Sequence, residues 1–410
     1  MLTNKRRMVA ALLMLPTGAA GAAEGPDMLS FALMGGTPSL DLRLRTEHAD
    51  NESAVQVLDS TATTLRTRLG FTTGKWNDFD LGVEYEGVSA FDRYDYNSTL
   101  NQQPQRPVVA DPTGSELNQA WIRYAGIPKT TVQVGREKLL LDNQRFVGNV
   151  GWRQNEQTYD GAVIVNKGVP GTELTYAYFH NVNSIFFSNF PLKAHLTNAS
   201  WSPGPALKVA AYGYWLDFEA ANTGNRQDGR TAGLRLSGAP ALGETGKLLY
   251  TAEFARQQEH ADATARVDDD YLLGELGGAL GATSLKLGYE VLGSSDGLYA
   301  VQTPLATLHA HDGWADMFLV TPVKGLRRAF ATVGTTLAGV ALTAVYHEFS
   351  ADSGGADYGE EIDASVGYGF NKQLSVLVKY AAYNATAAPA ASFATNVDTE
   401  KGWLQLEYKF

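Results

Sequence analysis

Residues Trp403–Phe410 read WLQLEYKF, and how these eight residues are read decides the fold. Leu404, Leu406, Tyr408 and Phe410 project to one side of an extended strand, and Gln405, Glu407 and Lys409 to the other. As the edge of a soluble sandwich, that apolar row would template aggregation. In a bilayer the same strand is well placed, its apolar side against lipid and its polar side against a wet interior. Lipid offers the backbone no hydrogen bonds, so a sheet of such strands must close on itself. The octet therefore predicts one strand of a transmembrane barrel.

The same alternation runs back through the chain. SLDLRLRTE sets Leu40, Leu42 and Leu44 against Asp41, Arg43 and Arg45. TLRTRLGF sets Leu65, Leu69 and Phe71 against Arg66 and Arg68. SLKLGYEVL sets Leu285, Leu287, Tyr289 and Val291 against Lys286 and Glu290, and QLSVLVKYAAY sets Leu374, Val376, Val378 and Tyr380 against Ser375 and Lys379. About 18 such segments begin near residues 39, 62, 79, 116, 130, 158, 172, 193, 206, 229, 246, 270, 283, 327, 339, 359, 373 and 401, the least regular near 193, 229 and 327. Most approach the ~10 residues of a tilted membrane-spanning strand. Links after even segments are short and built on Gly, Pro and Asn, as in GKWND, SPGP, TLAG and NKQ. Links after odd segments are longer and polar, at 91–115, 182–192, 219–228, 258–269, 294–326 and 384–400. The expectation is an all-β chain: a transmembrane antiparallel β-barrel of about 18 strands, with short periplasmic turns and long extracellular loops. Tyr85, Tyr124, Tyr159, Tyr176, Tyr178, Tyr346 and Tyr368 are expected to form interfacial girdles.

Lys5, Arg6 and Arg7 followed by MVAALLMLPTGAAG and the small residues Ala20-Gly21-Ala22 predict a signal peptide over 1–23, leaving 24–410 as the barrel. No other stretch approaches the ~20 apolar residues of a membrane helix. Losing those three basic residues takes the formal charge from −11 to −14, which argues against nucleic acid as a partner. There are no cysteines to read as a disulfide framework. No GxSxG, HExxH or P-loop occurs, so no enzyme is expected. His180, His311 and His347 lack ligand-like spacing, so neither metal nor cofactor is expected. The expected setting is the outer membrane of a Gram-negative cell, with its lipid as the surrounding partner.

One segment breaks the alternation. GREKLLLDNQRFVGNVGWRQNEQTYDG, Gly135–Gly161, follows the odd strand TTVQVG and should leave the barrel at the extracellular rim. It carries Arg136, Lys138, Arg145 and Arg153, with Asp142, Glu156 and Asp160 as counter-charges, and Phe146 and Trp152 as packing groups. A loop of that composition suits the lumen, where it would narrow the channel and set what passes.

These residues resemble the alginate export porin family. LRTRLGF at 65–71, ELNQAWIRY at 116–124 and HDGWADMFLVTP at 311–322 extend the likeness over nearly the whole mature chain. The resemblance implies an 18-stranded outer-membrane barrel with an arginine-rich constriction through which a polyuronate leaves the cell. By position, Arg43, Arg45, Arg66 and Arg68 match an inward basic row. Arg136, Arg145 and Arg153 match the charged central loop, with Asp142, Asn143, Asn155, Glu156 and Asp160 beside them. A periplasmic export scaffold is implied as a partner on the same ground. The terminal strand ending at Phe410 also resembles the signal read by the barrel-assembly machinery.

A plainer role for the arginines is pairing with Asp41, Glu84 and Glu86 on neighbouring strands. Three functions follow for comparison. The first is passive export of an anionic polysaccharide along guanidinium groups, whose planar forks pair with carboxylates while staying charged. The second is a general or substrate-specific porin for uptake of small anions or sugars, with the same loop as its eyelet. The third is an adhesion barrel using the loops 294–326 and 384–400.

Overall fold

The computed structural model describes residues 32–51, 53, 55–219, 228–263, 266–386 and 397–410. The expected signal segment, 1–23, lies outside them. The first strands are β1 (Thr37–Asn51), β2 (Ser60–Thr72), β3 (Phe79–Ala90), β4 (Gly114–Tyr124), β5 (Thr130–Glu137), β6 (Thr158–Asn166) and β7 (Thr172–Asn183). Next come β8 (Asn189–Gly204), β9 (Leu207–Phe218), β10 (Gly229–Gly238), the two-residue β11 (Ala241–Leu242), β12 (Gly246–Gln258) and β13 (Asp268–Leu280). The rest are β14 (Thr283–Leu292), β15 (Leu326–Leu337), β16 (Val340–Ser350), β17 (Asp357–Gly369), β18 (Leu374–Ala385) and β19 (Thr399–Lys409). Each of the eighteen expected starts falls within four residues of an observed one. The extra label, β11, is a short pairing inside the turn GAPALGETG.

All strands form one antiparallel sheet in chain order, and β1 pairs with β19 from Asp41↔Lys409 to Asn51↔Thr399, which closes the barrel. Burial is inverted relative to a soluble protein. Leu69, Leu287 and Leu404 are more than half exposed, whereas Arg45, Arg66, Glu86 and Glu361 are wholly buried. This is the distribution expected when the outer face meets hydrocarbon and the inner face is polar. With no edge left open, each long strand has a paired neighbour on both sides within the sheet. The chain is thus a transmembrane β-barrel. Among the described residues no helix is long and apolar enough to cross a membrane.

Three sequence expectations need correction. The long loop expected at 182–192 shrinks to 184–188, because β7 and β8 keep pairing past a bulge, through Val182↔Phe190 to Asn183↔Asn189. Its polar residues mask strand there. The loop expected at 294–326 as an outside surface instead enters the lumen, as described below. Tyr159 faces inward, fully buried, and its hydroxyl donates to the Gly148 carbonyl at 2.6 Å, so it belongs to no interfacial girdle. Of the loop 384–400, residues 387–396 lie outside the described residues.

The wall is lowest at β5 and β6. Only five residue pairs join β4 to β5, ending at Ala120↔Arg136. Gly135 sits at φ +135°, where a Cβ would run into the Ala120 carbonyl oxygen. At Gly161 a Cβ would meet the Tyr178 carbonyl oxygen. The two glycines that bound the central segment are thus points of close backbone approach, and between them the chain turns into the barrel.

The lipid-facing reading makes a direct prediction. Leu287→Arg, on the outer face, should destabilise the barrel by about 2–4 kcal/mol in a refolding titration in lipid vesicles, the cost of a cation at membrane depth. Thr332→Arg, on the inner face, should cost far less.

Candidate functional site

The interior is built from the two strands that follow the seam. Arg43 and Arg66 are direct cross-strand partners on β1 and β2. Like charges so placed repel, and Glu407 of β19 offsets this by reaching both, Arg43 Nε at 2.9 Å and Arg66 Nη2 at 3.2 Å. Asp41 takes Arg66 Nη2 at 2.6 Å. Arg45 donates to Gln405 at 2.6 Å and lies 3.9 Å from the centre of the Trp152 ring. Arg68 pairs with Glu86 and approaches Glu156 at 3.4 Å. Several donors stay unspent: Arg66 Nε and Nη1 and Arg68 Nη2 are buried without a hydrogen-bond partner.

The central segment does fold into the lumen. Arg43 donates to the carbonyls of Gly151 and Trp152 at 3.1 and 3.2 Å, which lays the loop 138–157 over the arginine row. Phe146 packs among Tyr212, Tyr214 and Tyr271 of the wall. Arg145 lies between Glu290 of β14 at 3.0 Å and Asp312 at 2.8 Å. Arg153 lies between Glu47 of β1 at 2.9 Å and Asp316 at 2.6 Å. Asp142 accepts from Asn198 at 2.6 Å and Lys208 at 3.1 Å. Glu156 accepts from Asn118 at 2.8 Å and Asn149 at 2.5 Å. Asn155 donates to the Ser184 carbonyl at 3.2 Å. Asn143 accepts the Arg145 backbone N–H at 3.3 Å and borders a cavity of about 420 Å³ lined also by Arg235, Lys286, Glu275 and Arg328.

Arg136 and Asp160 go elsewhere. They are paired residues on β5 and β6, joined at 2.7 Å, one position out of step with the inward Glu137 and Tyr159. By alternation they fall on the side of Val134 and Ile164, and at the bulge beside Asp160 that carboxylate accepts from the buried Asn181 and Asn183 at 2.9 and 3.1 Å. Their place in the central motif says nothing about facing, and the barrel register keeps them in the wall, apart from the loop arginines.

Sequence reasoning missed the second inward loop, 293–325. It zips onto the first through a parallel bridge Val147↔Leu305, with Gly148 N–H donating to the Leu305 carbonyl at 2.8 Å and Thr307 N–H to the Gln144 carbonyl at 3.0 Å. His309 stacks on Trp152 at 4.6 Å, and Lys379 of β18 lies 4.0 Å from the Trp152 ring and 3.7 Å from Trp314. Lys401 of β19 reaches Asp316 at 3.1 Å. The signal for this lay in the inward positions of Glu290 and Lys379 and in the motif at 311–322, but not in any local period. Above the zipped loops, an apolar cleft of about 260 Å³ opens among Ile185, Phe186, Phe190, Phe218 and Leu319.

Burial dominates the electrostatics of the loops. It pushes the His309 imidazole down to about 3, with Lys379 and Arg153 adding to it and Asp316 opposing. Burial, with Arg145 and Arg328, brings His311 to about 3 as well. Burial alone would raise Asp316, yet Lys401, His309 and Arg153 hold it well below the usual carboxylate range. No group of acidic, histidine or cysteine residues among the described residues has the arrangement of a metal site.

Residues 38–176, about a third of the chain, match the family model for alginate export, so the resemblance read at the central segment stands for that region. The piece at 311–322 lies beyond it. Among solved structures the fold is shared with OccK9 (OpdG) of Pseudomonas aeruginosa, at TM-score 0.71 and 17% identity over 92% of this chain and 99% of that one. It is shared likewise with P. aeruginosa OpdK with vanillate, at 0.70 and 14% over 92% and 99%. Acinetobacter baumannii OccAB4 gives 0.70 and 13% over 92% and 98%. At such identities the likeness is one of fold. No curated protein matches the chain.

Two outcomes are expected of the loop contacts. Arg145→Met takes from Asp312 the guanidinium it is hydrogen-bonded to, while Glu290 keeps Arg328 and Tyr271, and should cost about 3 kcal/mol, the low end of the usual penalty for breaking a buried ion pair. The loss should appear as larger single-channel conductance, since the barrel wall is untouched. Acid should act the same way. The two imidazoles resist protonation only while packed, so between pH 6.5 and about 3 proton uptake favours the withdrawn loops. Conductance should therefore rise as pH falls below 6, with a weaker rise in His309→Gln/His311→Gln.

Proposed function

We propose that this outer-membrane channel passes uronate-bearing saccharides of the alginate type, guided along the guanidinium row of β1 and β2. The observation that carries the reading is that row: Arg43, Arg45, Arg66 and Arg68 on adjacent strands, with buried donors left unpartnered on Arg66 and Arg68. Their positions span four residues along the strands, roughly 13 Å at the usual strand rise, comparable with a few sugar units. Unspent N–H groups aimed into a confined interior are suited to transient carboxylate contacts. Each contact is weakened by a carboxylate already present, which favours passage over trapping. The alginate export match over 38–176 includes all four residues and supports the reading. Passage is passive, and the chain acts as a channel and not as an enzyme. The strand ending at Phe410 is our candidate for engaging the assembly machinery, and a periplasmic scaffold for delivering a polymer.

A second reading has its own support. Two loops pinned across the lumen leave cavities of a few hundred Å³, a size suited to small anions or sugars taken up one at a time. A polymer requires both loops to swing aside. The adhesion reading loses its main support, because 293–325 is occupied inside the barrel.

Reversal potential in a salt gradient, with polymannuronate on either side, tests the first reading. Anion selectivity and polymer block are expected, both reduced at least about tenfold, or ~1.4 kcal/mol, in Arg43→Gln/Arg66→Gln. A weakly selective channel indifferent to the polymer but blocked by a small acid would transfer the assignment to uptake.

A further inference from the structure

We infer that Asp312 and Asp316 of the loop 293–325 are internal competitors, occupying the guanidinium sites that a substrate with two or more carboxylates takes over to open the channel. This rests on the uronate reading above. Arg145 and Arg153 of the central loop each meet one carboxylate on the wall and one on the second loop at 3.0 Å or less, and Arg153 also has Asp111 at 3.9 Å. Arg145 has Glu290 on the rigid wall and Asp312 on the second loop. Arg153 has Glu47 on the wall and Asp316 on the second loop. The wall partners are fixed by the sheet. The loop partners sit in a segment of turns, four residues apart, and can leave.

The same two aspartates collect the neighbouring cations. Asp316 also accepts from Lys401 at 3.1 Å and meets His309 Nδ1 at 2.7 Å. Asp312 lies 3.8 Å from Arg328 Nε, beyond hydrogen-bonding distance. The fit at Asp312 is incomplete: its Oδ1, Arg145 Nη2 and Arg328 Nε are all buried without a hydrogen-bond partner. A guanidinium binds a carboxylate best through two parallel N–H bonds, and Asp312, tethered by its backbone, makes a single one to Arg145. A carboxylate free to orient can use the idle donors. One such group gains little over Asp312. Two on one molecule gain twice, because the second binding is intramolecular. The arrangement thus selects for repeated carboxylates, the defining feature of a polyuronate, over a single acid. Once Asp312 and Asp316 are displaced, the second loop loses its ionic hold on the first, and the stacking of His309 on Trp152 goes with it.

The test is single-channel recording of the full chain in planar bilayers, with a mannuronate hexamer and the mannuronate monomer as probes. Three proteins are compared: the wild type, Asp312→Asn/Asp316→Asn, and Asp312→Glu/Asp316→Glu. Heat-modifiable gel mobility checks that each barrel has formed, and the single substitutions replace the double one if it fails to assemble. The Asn pair is expected to lengthen ligand-free openings and to lower the half-blocking hexamer concentration at least about tenfold, with a much smaller change for the monomer. The Glu pair, which keeps both charges, should lengthen openings and shift hexamer block far less than the Asn pair. A wild type blocked by hexamer, with an Asn pair that neither opens nor binds it better, overturns the competitor role and leaves the proposed function standing. A Glu pair that opens as the Asn pair does overturns it too, since packing and not charge would then be responsible. Hexamer indifference in all three proteins overturns the uronate reading itself, and this inference with it.

Discussion

The structure depends on a single constraint: in lipid, every strand must find its backbone partners within the sheet. The seam between β1 and β19 meets it, with pairs running from Asp41↔Lys409 to Asn51↔Thr399. Once that seam closes, alternation gives every strand an outer and an inner face, and the polar residues have nowhere to go but the lumen. The inner residues of the seam then set the chemistry. Gln405 and Glu407 hold Arg45, Arg43 and Arg66 in a row that would otherwise place two guanidiniums directly opposite each other.

A barrel of eighteen long strands encloses more space than wall side chains fill. Two loops occupy it. Their aromatic groups pack against the wall, and their arginines find carboxylates on both the wall and each other. Buried ion pairs of this kind contribute little net stability, because desolvation offsets attraction. They contribute definition instead: each is costly to break one-sidedly, so the loops have one well-specified packed arrangement. A plug held by polar contacts, and not by a large apolar core, is also one that competing ions and protons can reach.

The fold was largely legible because a strand's period is two and needs no long-range information. Leu285, Leu287 and Tyr289 declare their face wherever β14 is placed. The inward direction of the central segment was legible too, from charges and aromatic groups with no strand period between two strands. Other features were not. Val182 and Asn183 read as loop yet continue β7, because a bulge preserves pairing beyond the point where composition suggests a turn. Arg136 and Asp160 share a motif with Arg145 and Arg153 but stay paired in the wall, because position follows register and not motif membership.

By itself, then, the sequence determined a closed barrel of about eighteen long strands, the inward placement of Arg43, Arg45, Arg66 and Arg68, and a central segment suited to the lumen, since all of these follow from local alternation and from where it stops. Only the tertiary structure decided which carboxylate meets which arginine. Glu407 lies 364 positions from Arg43, and Asp316 lies 163 from Arg153. Such pairings are set by barrel closure and by the meeting of two loops across the lumen, and neither leaves a trace in the residues nearby.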